Sequence, residues 1–136
     1  MNVENILKIA DWLRDTRGVD RERRLGFNMV SFRETREDIS CNLIEHIRSR
    51  ELLEKGCETV CCIAGTACEL LLDEPTDLEN VRSTATRLLG LDTYEAFALF
   101  YTNDHPKILK DITPAHAEHV LRHLAATGVV NWSQKP

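Results

Sequence analysis

Apolar residues near the N-terminus recur every three or four positions, which is the spacing of one face of an α-helix. Gly18 follows this pattern at a place suited to end the helix. The apolar positions are Val3, Ile6, Leu7, Ala10 and Leu13. A second helical pattern runs from about Thr35 to Leu53, with Gly56 as its interruption. The first part of the chain is therefore expected to form two amphipathic helices.

The segment from Cys57 to Leu72 is apolar on nearly all sides. A helix of this kind normally lies at the buried centre of its domain. If the whole segment is helical, small side chains form a stripe along which another helix can approach closely. The stripe consists of Cys57, Cys61, Ala64, Gly65 and Cys68. We expect this cysteine-rich helix to be the scaffold of the fold.

Capping residues mark two further helices. Thr76 or Asp77 can begin a helix that Gly90 closes. A short aromatic helix then opens at Asp92, because Glu95 stands three residues later at the capping-box spacing. The aromatic positions of that helix are Tyr94, Phe97, Phe100 and Tyr101.

The last helix is expected to start at Thr113, followed by Pro114, and to end at Gly128. Residues 129–132 then fit either a short strand or an extended tail that folds back. Across residues 1–136 the pattern predicts a single all-α, mainly helical domain. It would be a compact bundle of about five to six helices around the cysteine-rich helix, with at most a short β tail.

Composition indicates a folded protein of the cytoplasm. The chain is 43% hydrophobic and 29% charged, which is typical of globular domains. No apolar run approaches the roughly 20 residues of a membrane span, and the N-terminus does not resemble a signal peptide. The five cysteines are an odd number, and we expect free thiols in a reducing compartment. The formal net charge of −5 argues against a general affinity for nucleic acid.

Cysteines and histidines are the candidates for chemistry. Cys57 and Cys61 are four residues apart and would share one side of a helix, where they are able to hold a metal ion. His116, His119 and His123 lie within about 60° of one another on the last helix. The alternative is that the cysteines behave as small core hydrophobes and the histidines as solvated surface residues. No cofactor is expected, and a metal-dependent or thiol-dependent enzyme is kept as an alternative function.

The stretch from Ile112 to Val129 also resembles the helix-then-hairpin order of winged-helix domains. A DNA-binding protein of that type is a further alternative. Its recognition helix would carry three histidines, one glutamate and one arginine. This is a poor set for phosphate contact, because phosphates are bound mostly by lysine and arginine. These residues are His116, Glu118, His119, Arg122 and His123.

Arginines are the candidates for binding a partner. Between Arg14 and Arg24 the chain carries five arginines and three acids. Interspersed charges of this kind are typical of a solvated connection, and the alternative is an arginine patch for a phosphate or an acidic partner. The arginines expected to contact a partner are Arg21, Arg23, Arg24, Arg48 and Arg50.

Several short elements resemble a family of small uncharacterised proteins of tailed phages, prophages and bacteria. The most specific is the run from Cys57 to Gly65, where the family has a Cys-Gly-Thr turn followed by a Cys-Ile-Ala-Gly-like element. Here Glu58 replaces the glycine, and a long charged insert, Thr35 to Lys55, precedes it. The other matching pieces are Phe27-Asn28-Met29, Ala85 with Leu89-Gly90-Leu91, Leu99-Phe100, and Ile112-Thr113-Pro114 through Thr127-Gly128 and Trp132.

The resemblance covers roughly the last four fifths of the chain and implies a phage or prophage setting. Small acidic phage accessory proteins commonly bind a host protein, in some cases one belonging to an immune system such as CRISPR. We therefore expect a non-enzymatic accessory protein that acts in the host cytoplasm. It would bind a host protein through its charged helical surface and would inhibit or redirect that protein.

Overall fold

The computed structural model describes residues 1–30, 34–35, 47–74, 76–101, 109 and 111–133. In these ranges the chain is mainly α-helical, which confirms the predicted class. The helices are α1 Val3–Thr16, α2 Ile47–Glu54, α3 Ile63–Leu71, α4 Val81–Leu89, α5 Thr93–Tyr101 and α6 Pro114–Thr127, with a 3-10 turn at Leu78–Asn80. The strands are β1 Val19–Asp20, β2 Leu25–Phe27, β3 Glu34–Thr35 and β4 Thr59–Cys61.

The predicted caps at the start of α5 and α6 are confirmed. The backbone N–H of Glu95 donates to Asp92 Oδ1 at 2.7 Å, and the N–H of Asp92 donates to Glu95 Oε1 at 2.9 Å. Thr113 Oγ1 accepts the backbone N–H of His116 at 3.1 Å, with Pro114 at the first helical position. Each cap satisfies backbone donors that a helix leaves without an internal partner.

Left-handed residues end three helices. Gly90 closes α4 with φ 63° and Gly128 closes α6 with φ 77°, as the sequence predicts. At the end of α1 the left-handed position is taken by Arg17, with φ 54°, so that Gly18 follows the cap and does not form it. Glycine tolerates this conformation better than residues with a Cβ atom.

The four strands form a small sheet in the order β1-β2-β4-β3. Strands β2 and β4 are parallel, and Gly26 faces Val60 in their register; the two outer pairs are antiparallel. Helix α2 packs on the face that carries Gly26 and Val60, where Leu52 and Leu53 are buried. The opposite face carries Leu25, Phe27 and Cys61 into the main core.

The main core lies among α1, α3, α4 and α6. Helix α1 packs chiefly against α6, and α3 packs chiefly against α4. Helix α3 is buried along most of its length, since Ile63, Ala64 and Ala67 are fully enclosed. It is therefore the central helix that the apolar segment predicts. None of the helices in the described ranges is long and apolar enough to cross a membrane.

Two predicted helix boundaries are wrong. Cys57 to Leu72 is not one helix, because Thr59–Cys61 is a strand and α3 begins only at Ile63. The predicted stripe of small residues through Cys57 and Cys61 therefore does not form. Thr35 lies in strand β3, and within the described ranges the second helix spans Ile47–Glu54; residues 36–46 of the predicted helix lie outside those ranges.

The structure also settles the surroundings of Leu78 and of the tail. Leu78 is 61% exposed, because the chain enters α4 through a 3-10 turn and turns this side chain away from the core. The segment after Gly128 is not a strand in residues 129–133, and Trp132 packs against the main core. The second alternative, an extended tail that folds back, is the one observed.

Candidate functional site

The cysteine pair predicted as metal ligands is divided between two parts of the core. Cys57 lies with Leu52 and Val60 on the α2 side of the sheet. Cys61 lies in the main core on the other side. Cys57 lies before β4, where its backbone N–H donates to the Leu52 carbonyl at the end of α2, whereas Cys61 is the last residue of the strand. All the described cysteines are buried and outside disulfides.

Cys62 occupies the junction between β4 and α3, where a thiol would be well placed for chemistry at a helix start. Burial raises the pKa of the Cys62 thiol from its ordinary 9.0 to about 11. The thiolate is the form that attacks electrophiles and binds metals. At neutral pH this side chain is therefore a protonated core residue with little nucleophilic character.

The three predicted histidines lie on α6, and the structure gives them different surroundings. His116 is buried, and its Nε2 lies 3.1 Å from the carbonyl oxygen of Trp132. Because a carbonyl only accepts, Nε2 must carry the proton in this bond. His119 and His123 are partly exposed. Across the described part of the chain, no three histidine, cysteine or acidic side chains are placed to hold a metal ion.

Arg122, predicted on a DNA-recognition helix, is engaged inside the protein. Its Nε donates to Glu118 Oε2 at 2.7 Å and its Nη2 donates to Asp11 Oδ1 at 2.9 Å. The hydrogen bond to Glu118 raises the pKa of Arg122, and the bond to Asp11 adds to this. The guanidinium therefore joins α6 to α1.

The predicted arginines include an exposed cluster between β1 and β2, residues 21–24, which we call the arginine turn. Arg24 pairs with Glu58 at 2.8 Å, and Arg23 Nε lies 3.6 Å from Asp20. Arg21 has no acidic partner among the described residues. Arg50 is exposed on α2, whereas the side chain of Arg48 lies outside the described set. The turn thus presents three guanidinium groups to solvent, two of them partly neutralised.

A second surface lies between α4 and α5, and we call it the aromatic groove. It is a cleft of about 280 Å³ lined by Arg82, Ser83, Thr86, Thr93, Ala96 and Phe97. Phe97 is 45% exposed and Tyr94, on the same helix, is 87% exposed. The rings of Phe97 and Tyr101 lie 5.0 Å apart. The Phe97 ring is thus open to solvent at a concave surface.

Two hydroxyl groups of the groove wall already donate to backbone carbonyl oxygens. Thr86 Oγ1 donates to the carbonyl oxygen of Arg82 at 2.7 Å, and Ser83 Oγ donates to that of Asn80 at 3.2 Å. Arg82, in contrast to these hydroxyl groups, is exposed and bonds to another side chain. Its Nη1 donates to the Tyr101 hydroxyl at 3.3 Å. Within the described ranges no carboxylate pairs with it. The groove is therefore apolar with one cation at its edge.

The aromatic helix is predicted from the sequence, but its pattern was not assigned a function. The signal was present in the spacing, because Tyr94, Phe97 and Tyr101 stand at i, i+3 and i+7 and share one face. Leu99 and Phe100 fill the core side of the same helix. Two apolar faces on one short helix indicate that one of them is turned outwards.

Comparison with protein families, with curated proteins and with solved structures found no match to this chain.

Proposed function

We propose that this protein is a non-enzymatic accessory protein that binds a host protein. The exposure of Phe97 in the groove, with that of Tyr94 on the same helix, is the observation that supports the proposal. Contiguous exposed apolar surface is uncommon on monomeric proteins and commonly marks an interaction site. Tyrosine and arginine are enriched among the residues that dominate binding energy, and Arg82 borders the same cleft.

The arginine turn supplies a second contact region in this proposal. Arg21, Arg23 and Arg24 are exposed at a single tight turn, as a protein-binding surface requires. Exposed charges mainly increase the rate and selectivity of association and add less to affinity. We therefore assign most of the affinity to the aromatic groove and the steering of an acidic partner to the arginines.

The phage setting and the host-defence target enter from the resemblance centred on Cys57 to Gly65. On that basis the partner would be a bacterial protein in the cytoplasm, and a defence system such as CRISPR is the first target class to examine. This part of the proposal is separable from the binding surface, since each has its own experiment.

The binding surface is tested by cross-linking in bacterial cells. Tyr94 is replaced by the photoreactive residue benzoylphenylalanine in the full chain, and Val3, which is exposed on α1, is replaced in a control. We expect one discrete covalent adduct from position 94 and none from position 3. After identification, the adducted protein should bind the purified chain, and Phe97→Ser should weaken that binding about tenfold. Equal adducts from both positions would overturn the proposed surface.

The host-defence part is tested with a phage that an active CRISPR system restricts. Bacteria that produce the protein should regain plaques only when the CRISPR system is present. Unchanged restriction would overturn the CRISPR target while leaving the cross-linking result to decide whether the surface binds a host protein.

A further inference from the structure

We infer that the aromatic groove binds a protein segment in which a large apolar side chain stands next to an aspartate or glutamate. The inference rests on the proposed binding function and adds the chemistry of the partner. It follows from the size of the groove, from the bonding of its wall, and from the charge at its edge.

The size of the groove suits side chains. Pockets that enclose a small-molecule ligand usually measure roughly 300–1,000 Å³. At about 280 Å³ the groove lies at the lower end of that range, and it has room for one or two side chains. Ala96 adds little bulk to the lining, and the Phe97 ring offers an apolar contact surface.

The wall favours an apolar occupant because two of its three hydroxyl groups are in use. Ser83 and Thr86 both donate to carbonyl oxygens of their own chain segment. Glu95, the nearest acidic residue on α5, accepts the N–H of Asp92 in the helix cap. A polar side chain entering the groove would lose its water and find few new partners there, whereas an apolar side chain would gain contact.

The edge adds a requirement for a carboxylate. A guanidinium carries five N–H donors and pairs with a carboxylate through two parallel hydrogen bonds. Other arginines of the chain have a carboxylate partner, for example Arg24 with Glu58 and Arg122 with Asp11. Arg82 has none in the described ranges, and the bond to the Tyr101 hydroxyl uses one donor. An acidic side chain of the partner would accept hydrogen bonds from the remaining donors of Arg82.

The experiment is selection from a displayed library of random peptides on the immobilised full chain. Enriched peptides are synthesised, and their dissociation constants are measured by fluorescence anisotropy against the natural chain and three variants. Phe97→Ser removes the exposed ring, and Arg82→Gln removes the charge at the edge. Arg87→Gln is the matched control, because Arg87 is exposed on the same helix but lines a different cleft. Circular dichroism confirms that each variant is folded.

We expect enriched peptides to carry a large apolar residue within about four positions of an acid, the reach of one helical turn. Phe97→Ser and Arg82→Gln should each weaken binding about tenfold, and Arg87→Gln should change it less than about twofold. The effect of Arg82→Gln should disappear when the acid of the peptide is replaced by its amide, since both changes remove one ion pair.

The outcomes separate the two proposals. Peptides that respond to Phe97→Ser but lack an acid and ignore Arg82→Gln would overturn the carboxylate requirement and leave the groove as a binding surface. Peptides that ignore both variants would overturn the groove itself. Self-association in sedimentation experiments that Phe97→Ser abolishes would overturn the inference as well, because the occupant would then be a second copy.

Discussion

The carbonyl oxygen of Trp132 lies 3.1 Å from Nε2 of His116, and the two rings meet edge to face with their centroids 5.3 Å apart. The indole N–H of Trp132 donates to the carbonyl oxygen of Ala98 at 3.0 Å. One residue of the tail is therefore bonded to α6 through His116 and to α5 through Ala98. This arrangement fixes the end of the chain against the helix that carries the aromatic groove.

Trp132→Ala is expected to lower the free energy of unfolding by about 2 kcal/mol, because it removes a partly buried ring and an indole hydrogen bond. Urea denaturation measures the change. Val129→Ala, at an exposed position three residues earlier, is the control and should change stability by less than about 0.5 kcal/mol. Equal effects at the two positions would show that the tail does not stabilise the fold.

Gly90 and Gly128 form a matched pair for the second prediction. Both are left-handed, but a Cβ atom at Gly90 would lie 2.8 Å from the backbone nitrogen of Asn2, whereas one at Gly128 would have nothing within 4 Å. Gly128→Ala should cost about 1 kcal/mol from backbone strain. Gly90→Ala should cost about 2 kcal/mol more, because the clash also displaces the start of α1, where Asn2 N–H donates to the Leu89 carbonyl at 2.8 Å. Chemical denaturation of both variants measures the two losses of stability. Similar losses would contradict the close approach of Gly90 to Asn2.

The helix ends were predictable because their signals are local. The reciprocal bonds of Asp92 and Glu95 and the left-handed Gly90 follow from neighbours in the sequence. The sheet was not predictable in this way. Its strands are two or three residues long, too short to show alternation, and Gly26 meets Val60 only through a distant parallel pairing.

The candidate site was predictable only in part. The exposure of the arginine turn follows from its charge density, which makes burial costly. The aromatic groove depends on how α4 and α5 pack, and the sequence does not state which aromatic rings that packing leaves outside. Similarly, Cys57 and Cys61 are separated because Cys57 lies in the connection between α2 and β4 and Cys61 lies in the strand, and the apolar pattern conceals both features within one predicted helix.

The third prediction concerns Cys62. Its pKa of about 11 lies above the ordinary value of 9.0, so the unfolded chain releases this proton before the folded chain does. The contribution of this protonated thiol to the free energy of unfolding is therefore fully present below pH 9. It is lost as the pH rises towards 11. The loss should be on the order of 2–3 kcal/mol, measured as the free energy of unfolding against pH.

Other groups titrate in the same range, and Cys62→Ala is the control for them. The variant is expected to be less stable at pH 8 but to show a shallower decline above pH 9 than the natural chain. Labelling with a thiol reagent at neutral pH should leave Cys62 unmodified until the protein unfolds. Rapid labelling of the folded protein, or parallel pH profiles for the two chains, would refute the buried protonated thiol.

The fourth prediction separates the scaffold from the binding surface. Replacing any of three core cysteines with alanine should cost about 1–2 kcal/mol, because each deletion leaves a small cavity. Arg21→Gln and Arg50→Gln, at exposed positions, should change stability by less than about 0.5 kcal/mol. The cysteines are Cys57, Cys61 and Cys68. Thermal and urea unfolding compare the two sets, and equal losses would mean that the arginines belong to the scaffold.

The last prediction concerns Arg122, whose guanidinium contacts carboxylates on two helices. A double-mutant cycle of Arg122→Ala and Asp11→Ala should give a coupling energy of about 0.5–1 kcal/mol, because Glu118 on the same helix helps to hold the arginine in place. The same cycle on the exposed pair of Lys8 and Glu4, 3.5 Å apart, should give no more than about 0.5 kcal/mol.

Arg122→Lys tests the geometry of the same contact. An ammonium group lacks the planar fork that reaches Glu118 through Nε and Asp11 through Nη2, so the lysine should recover less than the full coupling. Raising the salt concentration should weaken the Lys8 pair more than the Arg122 contact, because the latter is less exposed. A fully functional lysine with coupling equal to that of arginine would show that charge alone joins α1 to α6.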